Sequence, residues 1–509
     1  MTAILRFPGS LIGLLVLLIA FSPSKLKAQT EDGAVHLPEF FEVPYVKISK
    51  IEVSGNERTK EKIIIRELDF KMGDSLLTTD AKSVYSVRSG QKRFSRQDSS
   101  EVSLRMKYSR ENIINTKLFL EADLYLEEIE EDYYKLRIDV KERWYFWAFP
   151  ILQLDYPNFN DWLQEPDLSY LTMGLFTSHN NLWGLSHQAS LKAYGGSSQG
   201  VALGYLVPWI GKGQKIGLLL GGVWKSSSVV EYGSLENERQ LIFDKGSMQN
   251  LSFVTTLKFR PGLYNYGKVR LTANNVRISD SLYNFTLDES IASFLPSGMQ
   301  SVNYFTLYME YWYDSRNSHA YPLKGYYLKG FVEKDGLGMI GHDVDYFNYG
   351  VDMHFYQQIS DRWYTAEMFK LLTSSGENIP YYFKQNLTSG DDFIRGYDYF
   401  ALRGDNMYYF RSNLKYNVIK PAVKTPRKEK NKESKFRNVP YAFYLNAIAD
   451  VGYMKDEIYG QYNPYNNKLL YSWGLGVDFI SYYDLVLRFE YVFTNINTRG
   501  FYFGFGMPI

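Results

Sequence analysis

Four places in this 509-residue sequence carry residue types suited to chemistry, and each lacks the setting that chemistry needs. Gly196-Ser197-Ser198-Gln199-Gly200 fits G-x-S-x-G, but a nucleophilic serine of that kind sits on a strand–elbow–helix turn; here the residues join two strand-like stretches as a hairpin. Gly336-Leu337-Gly338-Met339-Ile340-Gly341 fits a dinucleotide fingerprint with no βαβ unit around it. His342, Asp343 and Asp345 read as solvated loop residues, and the six histidines form no metal-ligand spacing. Arg403-Gly404-Asp405 is a cell-adhesion tripeptide that reads as chance in a glycine-rich loop. The chain has no cysteine, so disulfides, thiol metal sites and thiol lipidation are excluded. A net charge of +1 gives no support to nucleic-acid binding. We therefore expect no enzyme, no cofactor and no metal.

The elements that would position functional residues are mostly strands. Arg6, the apolar run Leu11 to Phe21, and Leu26-Lys27-Ala28 before Gln29 read as a signal peptide over 1–28. Beyond it no stretch is apolar for long enough to make a membrane helix. Aromatic residues make up 17% of the chain, with 44 tyrosines, and glycines are frequent. Alternating strands with interfacial aromatic girdles produce that profile in a transmembrane β-barrel. Residues 29–45 read as a linker. Residues 46–143 read as a small α+β domain: a strand over 46–53, a helix capped by Thr59 through Ile63, Ile64 and Leu68, a helix starting at Ser109, then strands over 120–127 and 134–140. Residues 81–106 are longer and more polar than such a domain needs and read as an insertion.

From 144 to 509 the period of two predicts about sixteen strands of spanning length. They fall near 146–155, 168–178, 186–195, 200–208, 215–226, 248–260, 266–275, 303–314, 325–334, 345–357, 362–374, 406–419, 440–453, 470–480, 484–495 and 501–509. Connections around 180–184, 322–325 and 481–483 are short, as periplasmic turns should be. Those at 227–247, 276–302, 375–405 and 454–469 are long, as outer loops should be. The strongly basic stretch 420–439 breaks the alternation; it reads as a solvated turn, or as one attracted to lipid phosphates or an acidic partner.

Several segments, in order, resemble the BamA/TamA/FhaC superfamily of outer-membrane barrels. "IEVSGNERTKEKIIIREL", "NTKLFLEADLYLEE" and "LRIDVKER" resemble one POTRA domain, and "YWYDSRNSHAYPLKGYYLKG" resembles the family turn with Asp314, Arg316, Pro322 and Gly325. "SGDDFIRGYD" resembles the signature loop with Ile394, Arg395, Gly396 and Tyr397. "AIADVGYM" resembles the strand bearing Asp450 and Gly452. "SWGLGVDFISYYDLVLRFEYVF" and "FYFGFGMPI" resemble the closing hairpin and last strand. The resemblance implies that the loop folds into the lumen and that Arg395 meets Asp450, with Gly396 allowing a tight bend and Tyr397 packing on the wall. It also implies that the first and last strands meet at a weak seam; Gly500, Gly504 and Gly506 would loosen and kink it, or are the ordinary glycine–aromatic mix of barrel strands. Family members often carry an acid on the strand after the loop. Here Lys415 stands there, which predicts a weaker or rearranged Arg395 pairing. Ile509 replaces the usual terminal aromatic.

The implied function is an outer-membrane assembly factor with its N-terminal domain in the periplasm. It would receive unfolded outer-membrane or secreted clients by strand addition and insert or translocate them at the seam. Implied partners are such clients, periplasmic or lipoprotein accessory subunits and outer-membrane lipids. The alternatives are a two-partner secretion pore, which usually has two POTRA domains and a plug helix, and an accessory barrel without gating. Residues 29–45, with Pro38 and Pro44, do not look like a plug helix.

Overall fold

The computed structural model describes residues 35–38, 40–41, 44–78, 94–95, 100–130, 132–155, 167–210, 215–288, 293–339, 344–389, 392–424, 439–481 and 485–506. The expected signal peptide, most of the polar insertion, the core of the basic connection and the terminal Ile509 lie outside these residues.

The N-terminal unit comprises β1 (Val35–His36), β2 (Phe40–Phe41), β3 (Tyr45–Ser54), α1 (Glu61–Ile65), β4 (Ser75–Leu77), β5 (Phe94–Ser95), α2 (Glu101–Asn115), β6 (Phe119–Glu130) and β7 (Tyr133–Glu142). Five of these strands form one sheet in the order β1-β6-β7-β3-β4. The alternating residues Ile48, Leu124, Leu126, Leu136 and Ile138 are buried against Ile63, Ile64, Met106 and Ile113 of the helices. Burying such side chains contributes about 1.5–3 kcal/mol each relative to exposure. Three expectations are corrected. Residues 35–36 are not linker but pair in parallel with β6. Helix α2 starts at Glu101 behind the cap Ser100, whose side chain accepts the Ser103 N–H; Ser109 lies inside it and its hydroxyl accepts the Asp69 N–H. Thr59 caps nothing: the residue before α1 is Lys60, and the Thr59 hydroxyl bonds Tyr145 and Asn181 instead.

Sixteen antiparallel strands follow: β8 (Phe146–Leu154), β9 (Leu171–Leu182), β10 (His187–Gly196), β11 (Gln199–Ile210), β12 (Ile216–Leu235), β13 (Glu238–Phe259), β14 (Asn265–Ile278), β15 (Ser301–Asp314), β16 (Gly325–Asp335), β17 (Tyr346–Gln358), β18 (Trp363–Ser375), β23 (Asn406–Lys424), β24 (Val439–Lys455), β25 (Leu469–Ser481), β26 (Leu485–Thr494) and β27 (Arg499–Gly506). Between β18 and β23 the loop carries β19 (Gln385–Asn386), β20 (Thr388–Ser389), β21 (Asp392–Phe393) and β22 (Arg403–Gly404). Each predicted strand has its counterpart. Burial alternates along β24 and β25, with Leu445, Tyr471, Trp473 and Leu475 exposed and Tyr444, Ile448, Asp450 and Asp478 buried, so one face meets lipid and the other fills the lumen.

One expected loop is corrected: residues 227–247 continue β12 and β13 as a long hairpin. A two-residue turn closes it, with Glu236 and Asn237 both at positive φ. Such a turn matches the strand twist. Residues 276–302 include α3 (Asp280–Asp288). The sheet ends at β8 and β27, and among the described residues no register joins these two strands. Gly500, Gly504 and Gly506 do not kink the last strand, since β27 pairs with β26 without a break from Arg499↔Phe493 to Gly506↔Val486.

Candidate functional site

The loop between β18 and β23 turns back into the lumen. Its apolar residues Leu387, Ile394, Tyr397 and Leu402 pack with Met407, Met454 and Leu470 of the wall. This packing drives Arg395 to a position only 1% exposed, so every donor it carries needs a protein acceptor. Its Nε donates to Asp450 Oδ2 at 2.7 Å, and Nη2 donates to Asp450 Oδ1, a two-pronged match of guanidinium to carboxylate. Nη1 donates to Glu490 Oε1 at 3.0 Å and to Asn413 Oδ1 at 2.9 Å, and the Arg395 backbone N–H donates to Asp450 Oδ2 at 3.1 Å. The expected Arg395–Asp450 pair is therefore present, and the loop is tied to three strands.

The neighbouring motif residues serve the same tether. Gly396 has φ +97°, and a Cβ there would run into Thr494 Cγ2. Tyr397 is fully buried and donates to the carbonyl of Tyr471 at 2.9 Å. Ile394 lies on Gly452, where an added Cβ would come within 2.8 Å of Ile394 Cγ2. The glycine in Asp-x-Gly thus leaves the hollow that the loop's isoleucine fills.

At the opposite mouth the connection between β15 and β16 also turns inward. Asp314 holds Arg316 with two bonds, Nε to Oδ1 at 2.9 Å and Nη2 to Oδ2 at 2.7 Å. Asn317 Oδ1 accepts the N–H groups of Leu323 and Lys324 around Pro322, and Gly325 takes φ +102° to re-enter β16. Tyr321, at the tip, reaches across the lumen to donate to Asp478 Oδ2 at 2.7 Å. Arg488 Nε sits 3.0 Å from Asp478 Oδ1 and 3.8 Å from Glu490 Oε1. Asp450, Arg395, Glu490, Arg488, Asp478 and Tyr321 therefore form one polar chain linking the loop to the turn.

The Omp85 superfamily domain matches residues 181–508, more than half of the chain. The chain belongs to the Omp85 superfamily. Among solved structures, similarity is found to BamA from Haemophilus ducreyi lacking POTRA domains 1-3, at 13% identity and TM-score 0.48, over 91% of this chain and 84% of that one. CdiB from Escherichia coli is similar at 13% identity and TM-score 0.47, over 94% of this chain and 91% of that one. No curated protein matches the sequence.

In this Omp85 barrel the Arg395 pairing is arranged differently, the second of the two outcomes that Lys415 predicts. Arg395 finds its second acid in Glu490 on β26, which sequence reasoning missed, and Asn413 is what β23 supplies. Lys415 is buried with its ammonium 3.9 Å from the centre of the Tyr321 ring. Arg403 and Asp405 are structural: Arg403 Nε bonds Glu231 at 2.7 Å and Asp405 accepts from Lys384 at 2.8 Å. Gly196 and Gly200 lie at the turn of the β10–β11 hairpin, with no helix to make a nucleophile elbow. His342 and Asp343 lie outside the described residues, and no metal-ligand group occurs among the described ones.

The N-terminal domain is latched to the near mouth of the Omp85 barrel. Arg260 bonds both oxygens of Glu67, at 2.9 and 2.8 Å, while Arg66 flanks the same carboxylate. The Lys60 N–H donates to the Gly184 carbonyl at 2.8 Å. Burial raises the Glu67 carboxyl, and the Arg260 and Arg66 charges outweigh it, so the group ends below its ordinary value. A depressed carboxyl contributes stability above its unfolded value and loses it as pH falls through the folded one. Docking should therefore hold at neutral pH and weaken from about pH 4.5 downward. Glu67→Gln strands Arg260 and should cost roughly 3 kcal/mol of docking, or about a hundredfold faster exchange of the Lys60 amide. Unchanged exchange would remove the latch.

Proposed function

We propose that this protein is an outer-membrane assembly factor that inserts or translocates client proteins at the junction of β8 and β27, with no catalytic chemistry. The observation that carries the reading is the loop tether: Arg395, held by Asp450 and Glu490, fixes the loop on the lumenal side of β24 and β26, next to the closing strand. An unpaired strand edge offers a row of N–H and C=O groups to an incoming strand, and lipid gives those groups no partner of its own. The open sheet order supports a seam at that place.

On this reading the latched N-terminal unit is a POTRA domain in the periplasm, delivered there by the signal peptide, and it hands unfolded clients to the barrel. Accessory periplasmic or lipoprotein subunits and outer-membrane lipids are the further partners. Insertion is favoured over a secretion pore because loop and turn meet through one polar chain inside the lumen, which leaves the wall as the working surface. The accessory-barrel reading draws less support from Lys415, because its ammonium lies over the Tyr321 ring and Arg395 keeps two acids, Asp450 and Glu490.

Depletion of the protein followed by quantitative outer-membrane proteomics tests this. Many barrel proteins should fall together. Loss of a single secreted protein with the other barrels unchanged would overturn the reading in favour of a dedicated pore.

A further inference from the structure

Where the N-terminal domain meets the barrel, a chamber of about 320 Å³ opens on the lumenal side of the near mouth. Trp209, Tyr264, Tyr266 and Trp312 contribute aromatic walls. Four cationic side chains line it, Arg66, Lys258, Arg260 and Arg316, against two acids, Glu67 and Asp314. The acids are taken: Arg66 and Arg260 share Glu67, and Arg316 holds Asp314. Arg66 also lies over the Trp209 ring at 4.2 Å, and Arg260 over Tyr266 at 5.1 Å, so the rings are already faced by positive charge.

Lys258 is the cation left over. It stands on the lumenal face of β13, since its neighbour Leu257 is exposed on the other, and no acid or acceptor among the described residues bonds its ammonium. Its register partner on β14 is Lys268, whose own ammonium is engaged by Glu310 at 2.6 Å. Like charges directly opposite on paired strands repel. The nearest acid, Glu310, is committed to Lys268, so Lys258 brings to this half-enclosed aromatic chamber a positive charge without a hydrogen-bonded acid of its own, which suits an anion.

We infer that this chamber binds an acidic–aromatic segment of an unfolded polypeptide, its carboxylate on Lys258 and its ring among Trp209, Tyr266 and Trp312. The inference rests on the client-handling function proposed above and names the chemistry of what the near mouth receives. A carboxylate arriving there lies beside Arg260 and Arg66 and competes with Glu67 for them, which loosens the latch as cargo enters. The lumenal placement favours a chain over a lipid headgroup, because the bilayer faces the other side of β13.

The test uses the full protein in a neutral detergent and a blocked, fluorescently labelled tetrapeptide, Gly-Glu-Phe-Gly, followed by anisotropy. Binding should weaken about tenfold when Gln replaces the peptide's Glu, and about tenfold with Lys258→Gln, the loss expected for one charge-assisted hydrogen bond. Lys258 carries no structural pair, so heat-modifiable migration of the variant should match the parent. Equal binding of the Glu and Gln peptides would overturn the inference, as would unchanged affinity in Lys258→Gln. Displacement of the peptide by short-chain phosphatidylglycerol at lower concentration than by unlabelled peptide would also overturn it, assigning the chamber to a headgroup. Failure here leaves the depletion result untouched, so the two readings fall separately.

Discussion

Arg395→Ala is expected to abolish function in a complementation assay and to lower the stability of the loop–barrel contact by roughly 3–5 kcal/mol, because it takes from two buried carboxylates the cation that hydrogen-bonds them. The Asp450 side chain is 0% exposed and that of Glu490 7%. Among the described residues Asp450 then keeps Arg411, opposite it on β23, at 3.8 Å, and Glu490 keeps Arg488 at 3.8 Å. Asp450→Ala should be nearly as damaging, since it strips Arg395 of three bonds. The double variant should add little to either single change, as expected for groups acting as one unit. Arg395→Lys should rescue poorly: one ammonium on a flexible stem cannot bond Asp450 twice and still reach Glu490 and Asn413. Full activity in both single alanine variants would rule out the tether.

Lys384→Met should have the second-largest effect, at the far mouth. The Lys384 side chain is completely buried, with its ammonium 2.6 Å from Asp456 Oδ2 and 2.8 Å from Asp405 Oδ1. It thereby joins the loop after β18 to the loop after β24. The tip of the β12–β13 hairpin lies on the same cluster: the Asn237 N–H donates to Asn463 Oδ1 at 2.7 Å, and the Ala401 N–H to the Asn237 carbonyl at 2.8 Å. Removing the ammonium leaves the buried Asp456 carboxylate without its cation, which costs about 3 kcal/mol or more. The loops should part, so conductance across planar bilayers should rise well above that of the parent protein. Conductance equal to the parent would mean that the cluster does not seal this mouth.

Most of the barrel was legible because a strand with one face in lipid and one in the lumen must alternate, and alternation survives without any knowledge of partners. The failures have local causes. The β12–β13 extension was hidden because beyond the bilayer its residues become polar, although Glu236-Asn237 held a turn signal. Helix α2 begins eight residues before Ser109, because the polar run ahead of Ser109 masks its cap at Ser100 in the sequence. Motif order is enough to point to Asp450 and Arg395. It does not point to Glu490, since 95 residues separate it from Arg395 and only its lumenal parity, shared with Val492 and Thr494, marks it. Lys415 shares the lumenal face with Asn413 but lies at a different depth. Two residues along a strand are about 6.6 Å, enough for Asn413 to meet Arg395 while Lys415 settles over Tyr321.

The polar chain through the lumen also restricts how the wall can move. Arg488 and Glu490 both belong to β26, the strand that carries β27. Sliding β26 by one residue against β25 would turn both charges toward lipid. Sliding it by two would keep the face but carry Arg488 about 6.6 Å from Asp478. The last hairpin is keyed like a bolt that admits rotation and forbids travel, so any movement of the wall beside it must keep the register of β25 and β26 intact.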